Sequence, residues 1–147
     1  MPRRVENIAA DLEALEPEDF DGAHAGFDGM ERLYQLCDEL RAIGDVQACA
    51  PVLFCTMERL GEAELGSPGP LVHTLETWRG GYERFLAESV RRKPTSLSIW
   101  MVNRLLNAMP SDSQVWLDLL WSVANDPTAS EAARSAASGF LEYQSRG

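Results

Sequence analysis

His73, Glu76 and Glu83 are the residues of this 147-residue chain whose types and spacing come nearest to an acid–base site. His73 and Glu76 stand three positions apart. On a helix that spacing puts both on one face, where a carboxylate can orient an imidazole for proton transfer. No nucleophile stands at an arguable distance, and an ordinary surface His–Glu pair has the same spacing. The other histidine, His24, lies among small residues with no Cys or His at ligand spacing, so it reads as a solvated loop residue. The phosphate-cradling GxxxxGK[ST], dinucleotide GxGxxG, zinc-binding HExxH and nucleophile-elbow GxSxG patterns are all missing. The expected class is therefore non-enzymatic, with no catalytic residue, metal or cofactor assigned.

Charge is the stronger signal. The net charge is −10, and residues 1–65 carry all of it, with 15 acidic residues against five arginines. The remainder is balanced. A field of this sign repels nucleic acid and anionic membrane and speeds encounter with basic partners. The plainer reading is that acidic faces keep a protein in solution. Cys37, Cys49 and Cys55 match no disulfide or metal spacing and fall in apolar periodic segments, so all three are expected to be buried thiols. The first 16 residues contain arginines but no uninterrupted apolar run, so no signal peptide is expected and a cytoplasmic location is. No apolar run approaches the ~20 residues of a membrane-spanning helix.

The elements that position these residues are helices, and no segment reads as a strand. Val5, Ile8, Leu12 and Leu15 form the stripe of a first helix, which Pro17 ends. Glu16 to Asp28 reads as a loop, with Phe20 and Phe27 pinning it to the core. Asp28 caps a second helix with the stripe Met30, Leu33, Cys37 and Leu40, widened by Tyr34, Leu36 and Ile43, and Gly44 stops it. Asp45 caps a third, ending at Leu60, in which Pro51 requires either a preceding turn or a kink. A long central helix begins near Pro68–Pro70 and ends at Pro94. Its stripe is Leu71, Leu75, Trp78, Tyr82, Phe85, Leu86 and Val90, and Gly80–Gly81 within it suggests a kink or a close helix approach. Thr95 or Ser96 caps a nearly all-apolar helix to Met109. Ser111 or Ser113 caps the next, with Val115, Leu119, Leu120 and Val123 inward and Trp116 and Trp121 flanking. An alanine-rich helix from Ser130 to Gln144 follows. Core placement is the leading expectation for all four tryptophans, the alternative being partial exposure of one of the flanking pair, Trp116 and Trp121. Asn103 and Asn107, on the largely buried helix, are expected to bond the Leu65–Pro70 link or a neighbouring helix end rather than line a groove with Arg104.

The expected fold is thus all-α over a single 1–147 domain. About seven helices in antiparallel pairs form a compact bundle or a short α-solenoid of helix pairs.

Leu65 to His73 (LGSPGPLVH), with Glu76, Tyr82, Ser89, Arg92, Pro94-Thr95 and Asn103 to Asn107 (NRLLN), resembles HEAT-like all-helical immunity proteins of bacterial polymorphic-toxin (contact-dependent inhibition) systems. The resemblance covers about a third of the chain. It implies a small cytoplasmic protein that binds and blocks one cognate toxin domain. It identifies neither the toxin nor the contact residues. The matched positions read as fold-defining.

The charge and the resemblance together give a leading expectation. A carboxylate face occludes a basic surface of a protein toxin, a nuclease being one candidate. The residues assigned to that face are Glu31, Asp38, Glu39, Asp45, Glu58, Glu62 and Glu64, extended by Glu76 and Glu83. No nucleic-acid or membrane partner is expected, and oligomeric state is left open. The alternative is a non-enzymatic helical scaffold or adaptor with another protein partner. An enzyme built on His73 ranks third.

Overall fold

A computed structural model describes residues 3–20, 28–66, 68–108 and 110–146. The loop assignments for His24 and Phe27, and the end of the apolar helix at Met109, lie outside the described residues. Among the described residues there are eight α-helices and one short 3-10 turn, and no strand. The chain divides into two compact units, Met1–Phe85 and Leu86–Gly147.

The first unit holds α1 (Val5–Glu13), the 3-10 turn (Pro17–Phe20), α2 (Gly29–Ile43), α3 (Val46–Leu60) and α4 (Gly69–Glu76). The turn is an addition to the expected loop. Asp28 caps α2 by accepting from the Glu31 N–H at 3.1 Å, and Asp45 caps α3 by accepting from the Ala48 N–H at 3.3 Å. Each carboxylate thereby satisfies one of the N–H groups that a helix start leaves unpaired. Helix α3 runs through Pro51 without a break. Helix α2 packs on α1 and α4, and α3 packs on the same two helices. Ile8, Leu12, Leu33, Leu36, Leu40, Leu53, Phe54, Met57, Leu71 and Leu75 are fully buried.

The long central helix is not formed. Helix α4 stops at Glu76, and α5 (Glu83–Arg92) starts seven residues later. The turn between them places Gly80 at φ +93°, a conformation that costs an L side chain roughly 1–2 kcal/mol and glycine little. The Gly80 N–H donates to both Glu83 carboxylate oxygens, at 3.0 and 2.9 Å. A Cβ on Gly81 would stand 3.3 Å from Cγ1 of Val46, the first residue of α3. The apolar spacing from Leu71 to Val90 was compatible with one helix. The glycine pair and the Glu83 cap outweigh it.

In the second unit, α6 (Ser96–Asn107), α7 (Ser113–Ala124) and α8 (Glu131–Ser145) follow the rest of α5. Thr95 and Ser98 form a reciprocal capping box at α6, and the Ser130 hydroxyl accepts from the Ala133 N–H at 3.1 Å at α8. At α7 the capping position is Asp112, with no side-chain bond, rather than Ser111 or Ser113. Helix α8 packs on α6 and α7, and its Ala133 and Ala137 are fully buried. Alanines allow the close approach, since they add no bulk between the helix axes.

Four side chains depart from the expected core, and the first of them, Tyr34 on α2, is 46% exposed. Cys55 is exposed, Val115 is 49% exposed and Trp121 is 63% exposed. Cys55 lies two residues from both Leu53 and Met57, and Trp121 two from both Leu119 and Val123. Positions two apart on a helix point to different sides. Trp116, three residues before Leu119, is buried at 4% exposure. Trp78 and Trp100 are half-buried, and the Arg104 guanidinium lies 4.9 Å from the Trp100 ring centre.

Candidate functional site

The charge asymmetry of the sequence is carried into the structure as a difference between the units. Met1–Phe85 holds 17 acidic residues and seven arginines, which leaves −10, while Leu86–Gly147 holds six of each sign. Within the first unit the arginines are largely engaged inside the protein. Arg3 reaches Asp11 at 2.6 Å and the two Glu39 oxygens at 2.9 and 2.7 Å. Arg32 reaches the same Asp11 at 3.0 Å. Arg41 pairs with Asp38 one turn away. The Arg59 Nη2 donates to the Leu12 carbonyl at 2.6 Å, at the C-terminal end of α1.

The nine carboxylates assigned from sequence therefore have different situations. Glu31, Asp38, Asp45, Glu62 and Glu64 are exposed. Of these, Asp38 is paired with Arg41 and Asp45 caps α3. Glu39 is half-buried in the Arg3 cluster. Glu58 is buried, at 8% exposure. Glu76 is half-buried at the end of α4, and Glu83 closes the turn onto Gly80 from α5. Glu76 and Glu83 thus do not share one helix face. The same break separates Glu83 from His73, which is exposed on α4.

The Arg3–Asp11–Arg32–Glu39 cluster ties α1 and the residues before it to α2. The Arg3 guanidinium, by hydrogen bonding first and by its charge second, holds the Asp11 and Glu39 carboxyls below the usual carboxylate range. A lowered folded-state value means that the contribution is fully present above the ordinary range, roughly pH 4, and is lost as pH falls through the lowered values. Arg3→Ala is expected to move both titrations up towards ordinary values, read from the carboxyl carbon shifts by NMR. Titrations that stay in place would remove Arg3 as the anchor.

The thiols separate cleanly. Cys37 is buried, and desolvation pushes its pKa up to about 12. Cys49 is also raised by burial, and its Sγ lies 3.8 Å from the Leu40 carbonyl oxygen. Cys55 alone of the three is exposed, and it lines a cleft of about 380 Å³ between α1 and α3 with Ala9, Glu13, Pro51, Val52, Thr56 and Arg59. A second cleft, of about 340 Å³, lies in the other unit beside Asn103, Ala136, Gly139, Phe140 and Tyr143. There the Gln144 Nε2 donates to Asn103 Oδ1 at 2.6 Å and to Asn107 Oδ1 at 3.0 Å. The two asparagines thus bond a neighbouring helix end.

Among the described residues no three His, Cys, Asp or Glu side chains are grouped to hold a metal ion. No helix of the described residues is long and apolar enough to cross a membrane. The first unit presents exposed carboxylates, a cleft with apolar walls and the exposed Cys55 thiol. The α1–α3 cleft and the Arg3 cluster had no local signature. The cleft joins residues of α1 to residues of α3, and the cluster's farthest pair, Arg3 and Glu39, stands 36 positions apart. No protein-family model, curated protein or solved structure matches the chain.

Proposed function

We propose that this protein is a non-catalytic inhibitor that binds and occludes a basic protein domain, in the manner of a cytoplasmic immunity protein holding a cognate bacterial toxin. The observation that carries this reading is the charge. All of the −10 excess belongs to the first unit. Four arginines there, Arg3, Arg32, Arg41 and Arg59, are held by the protein's own carboxylates and a carbonyl. The outward field is therefore negative over that unit, which favours capture of a positively charged surface. The helix pairs α1–α2 and α7–α8 are compatible with the short HEAT-like arrangement the resemblance implies.

Binding by occlusion divides the work between charge and contact. The carboxylates accelerate encounter, and a few buried contacts set how long the complex lasts. Glu31, Glu62 and Glu64 are exposed and are the best of the sequence-assigned residues for the first task. The test is co-expression with the protein encoded by the adjacent gene, scoring rescue from toxicity and co-purification. With that partner in hand, Glu31→Lys/Glu62→Lys/Glu64→Lys is expected to slow association by about tenfold or more at low salt and to flatten its salt dependence. An adjacent gene product that is neither toxic nor captured counts against the inhibitor reading. Unchanged association by the triple variant counts against this acidic face.

A further inference from the structure

The cleft between α1 and α3 is built to take a side chain rather than a polar ligand. Ala9, Pro51 and Val52 give it apolar walls. Proline has no N–H to satisfy. The Thr56 hydroxyl donates to the Val52 carbonyl at 2.9 Å, so that donor is already used. The Arg59 guanidinium is drawn to the Leu12 carbonyl. Apart from the exposed Glu13 carboxylate, the lining has few unmet polar groups and loses little when water leaves it. The volume, about 380 Å³, stands near the bottom of the roughly 300–1,000 Å³ range of small-ligand pockets.

The acidic setting indicates what carries that side chain. Glu6, Ala9 and Glu13 follow one another at spacings of three and four along α1, so the two glutamates flank the alanine that lines the cleft. Both glutamates are exposed, and among the described residues neither takes part in an ion pair. The whole unit has a charge of −10. Nucleic acid and anionic lipid are repelled by such a surface, whereas an apolar anchor flanked by cations is attracted to it.

We propose that the α1–α3 cleft is the anchor pocket for one large apolar side chain, aromatic by preference, presented on a Lys/Arg-rich segment of a protein partner. This rests on the acidic-inhibitor reading and specifies where its durable contact lies. Aromatic anchors in desolvated pockets carry most of the binding energy of protein interfaces, and charges at the rim steer them in. The contact thus moves from the carboxylates of α2 and α3 to the stripe Glu6–Ala9–Glu13 and the cleft beside it.

Cys55 supplies a built-in reporter, because it lines the cleft and is exposed while Cys37 and Cys49 are buried. The probe is the peptide acetyl-Lys-Arg-Lys-Trp-Lys-Arg-Lys-amide, compared with its twin carrying Ala in place of Trp. Full-length protein is alkylated with iodoacetamide at low salt with each peptide present. The Trp peptide is expected to slow Cys55 alkylation about fivefold or more and the Ala twin less than about twofold, as an anchored side chain requires. Equal protection by both peptides, or none by either, overturns the proposal.

Two variants keep the outcome independent of any single mutation. Ala9→Trp and Cys55→Phe each fill the cleft, and circular dichroism checks that each is folded. Either folded variant is expected to bind the fluorescein-labelled Trp peptide at least about tenfold more weakly, read by anisotropy. Undiminished binding by a folded variant overturns the proposal. The two readings fail separately. If Ala9→Trp captures the adjacent gene product as well as the parent does, the pocket falls and the inhibitor stands. If the Trp peptide protects Cys55 but the gene product is not captured, the inhibitor reading falls and the pocket stands.

Discussion

Phe54→Ala is expected to cost about 3–5 kcal/mol of stability, a large part of the roughly 5–15 kcal/mol that holds a typical domain folded. Phe54 is fully buried on α3, as are Leu53 and Met57 beside it. Truncation removes the transfer free energy of the ring and leaves a cavity that rigid helices close only in part. The measurement is urea unfolding followed by far-UV circular dichroism, with a lower midpoint expected. The buried thiols give a second readout. Cys37 and Cys49 are shielded in the parent and should be alkylated faster in the variant, because the open state is populated more often. A loss below about 1 kcal/mol would mean that Phe54 packs less tightly than its burial implies. The variant also bears on function, since α3 carries Pro51, Val52, Cys55, Thr56 and Arg59 of the cleft on the helix whose other side Phe54 anchors.

Gly66→Ala is the second large effect, and it acts through the backbone rather than the core. Gly66 has φ +92°, and a Cβ there would stand 2.6 Å from the Gly69 Cα. The left-handed conformation costs a non-glycine residue about 1–2 kcal/mol, and forcing a backbone apart adds roughly 1–3 kcal/mol. A total loss of about 2–5 kcal/mol is expected. Gly66 lies next to Leu65, which is 3% exposed, and just before α4. Moving it disturbs the entry to that helix. Differential scanning calorimetry of parent and variant reads the loss as a lower melting temperature. A control separates strain from a general intolerance of the link. At Gly61 nothing lies within 4 Å of a built Cβ although φ is +62°, so Gly61→Ala should show the conformational cost alone. Equal losses at the two sites would remove the steric part of the argument.

The helix starts at Asp28, Asp45, Thr95 and Ser130 could be read from sequence because a cap is a local device, complete within four residues. The buried residues Leu33, Cys37 and Leu40 of α2 and Leu53, Met57 and Leu60 of α3 followed from spacing for the same reason. Elsewhere the deciding signal is present in the sequence but competes with a stronger one. Gly80 and Gly81 marked the break between α4 and α5, and an apolar stripe that continued across them masked it. Cys55 and Trp121 stood at offsets of two from core residues, which already turned them outward. Val115 is different. It lies four residues before Leu119 and shares its direction, yet it is 49% exposed. Burial there depends on what lies across from the first turn of α7, which no local pattern states.

For the candidate site the division is sharper. Charge belongs to composition, so the −10 excess and its confinement to the first half were legible without any coordinates. Which carboxylates remain outward was not. Arg3 could have paired with any of several nearby acids, and packing of α1 on α2 selects Asp11 and Glu39. Arg59 could have faced solvent, and packing of α3 on α1 sets it on the Leu12 carbonyl. The cleft exists only between two helices that are separate in sequence. The sequence by itself determined the all-helical class, most helix starts and the sign of the field. The tertiary structure alone decided which charges cancel internally and where an apolar hollow opens beside uncancelled ones. The reason is range: capping and periodicity act over a few residues, whereas ion pairing and cavities depend on distances that chain order does not set.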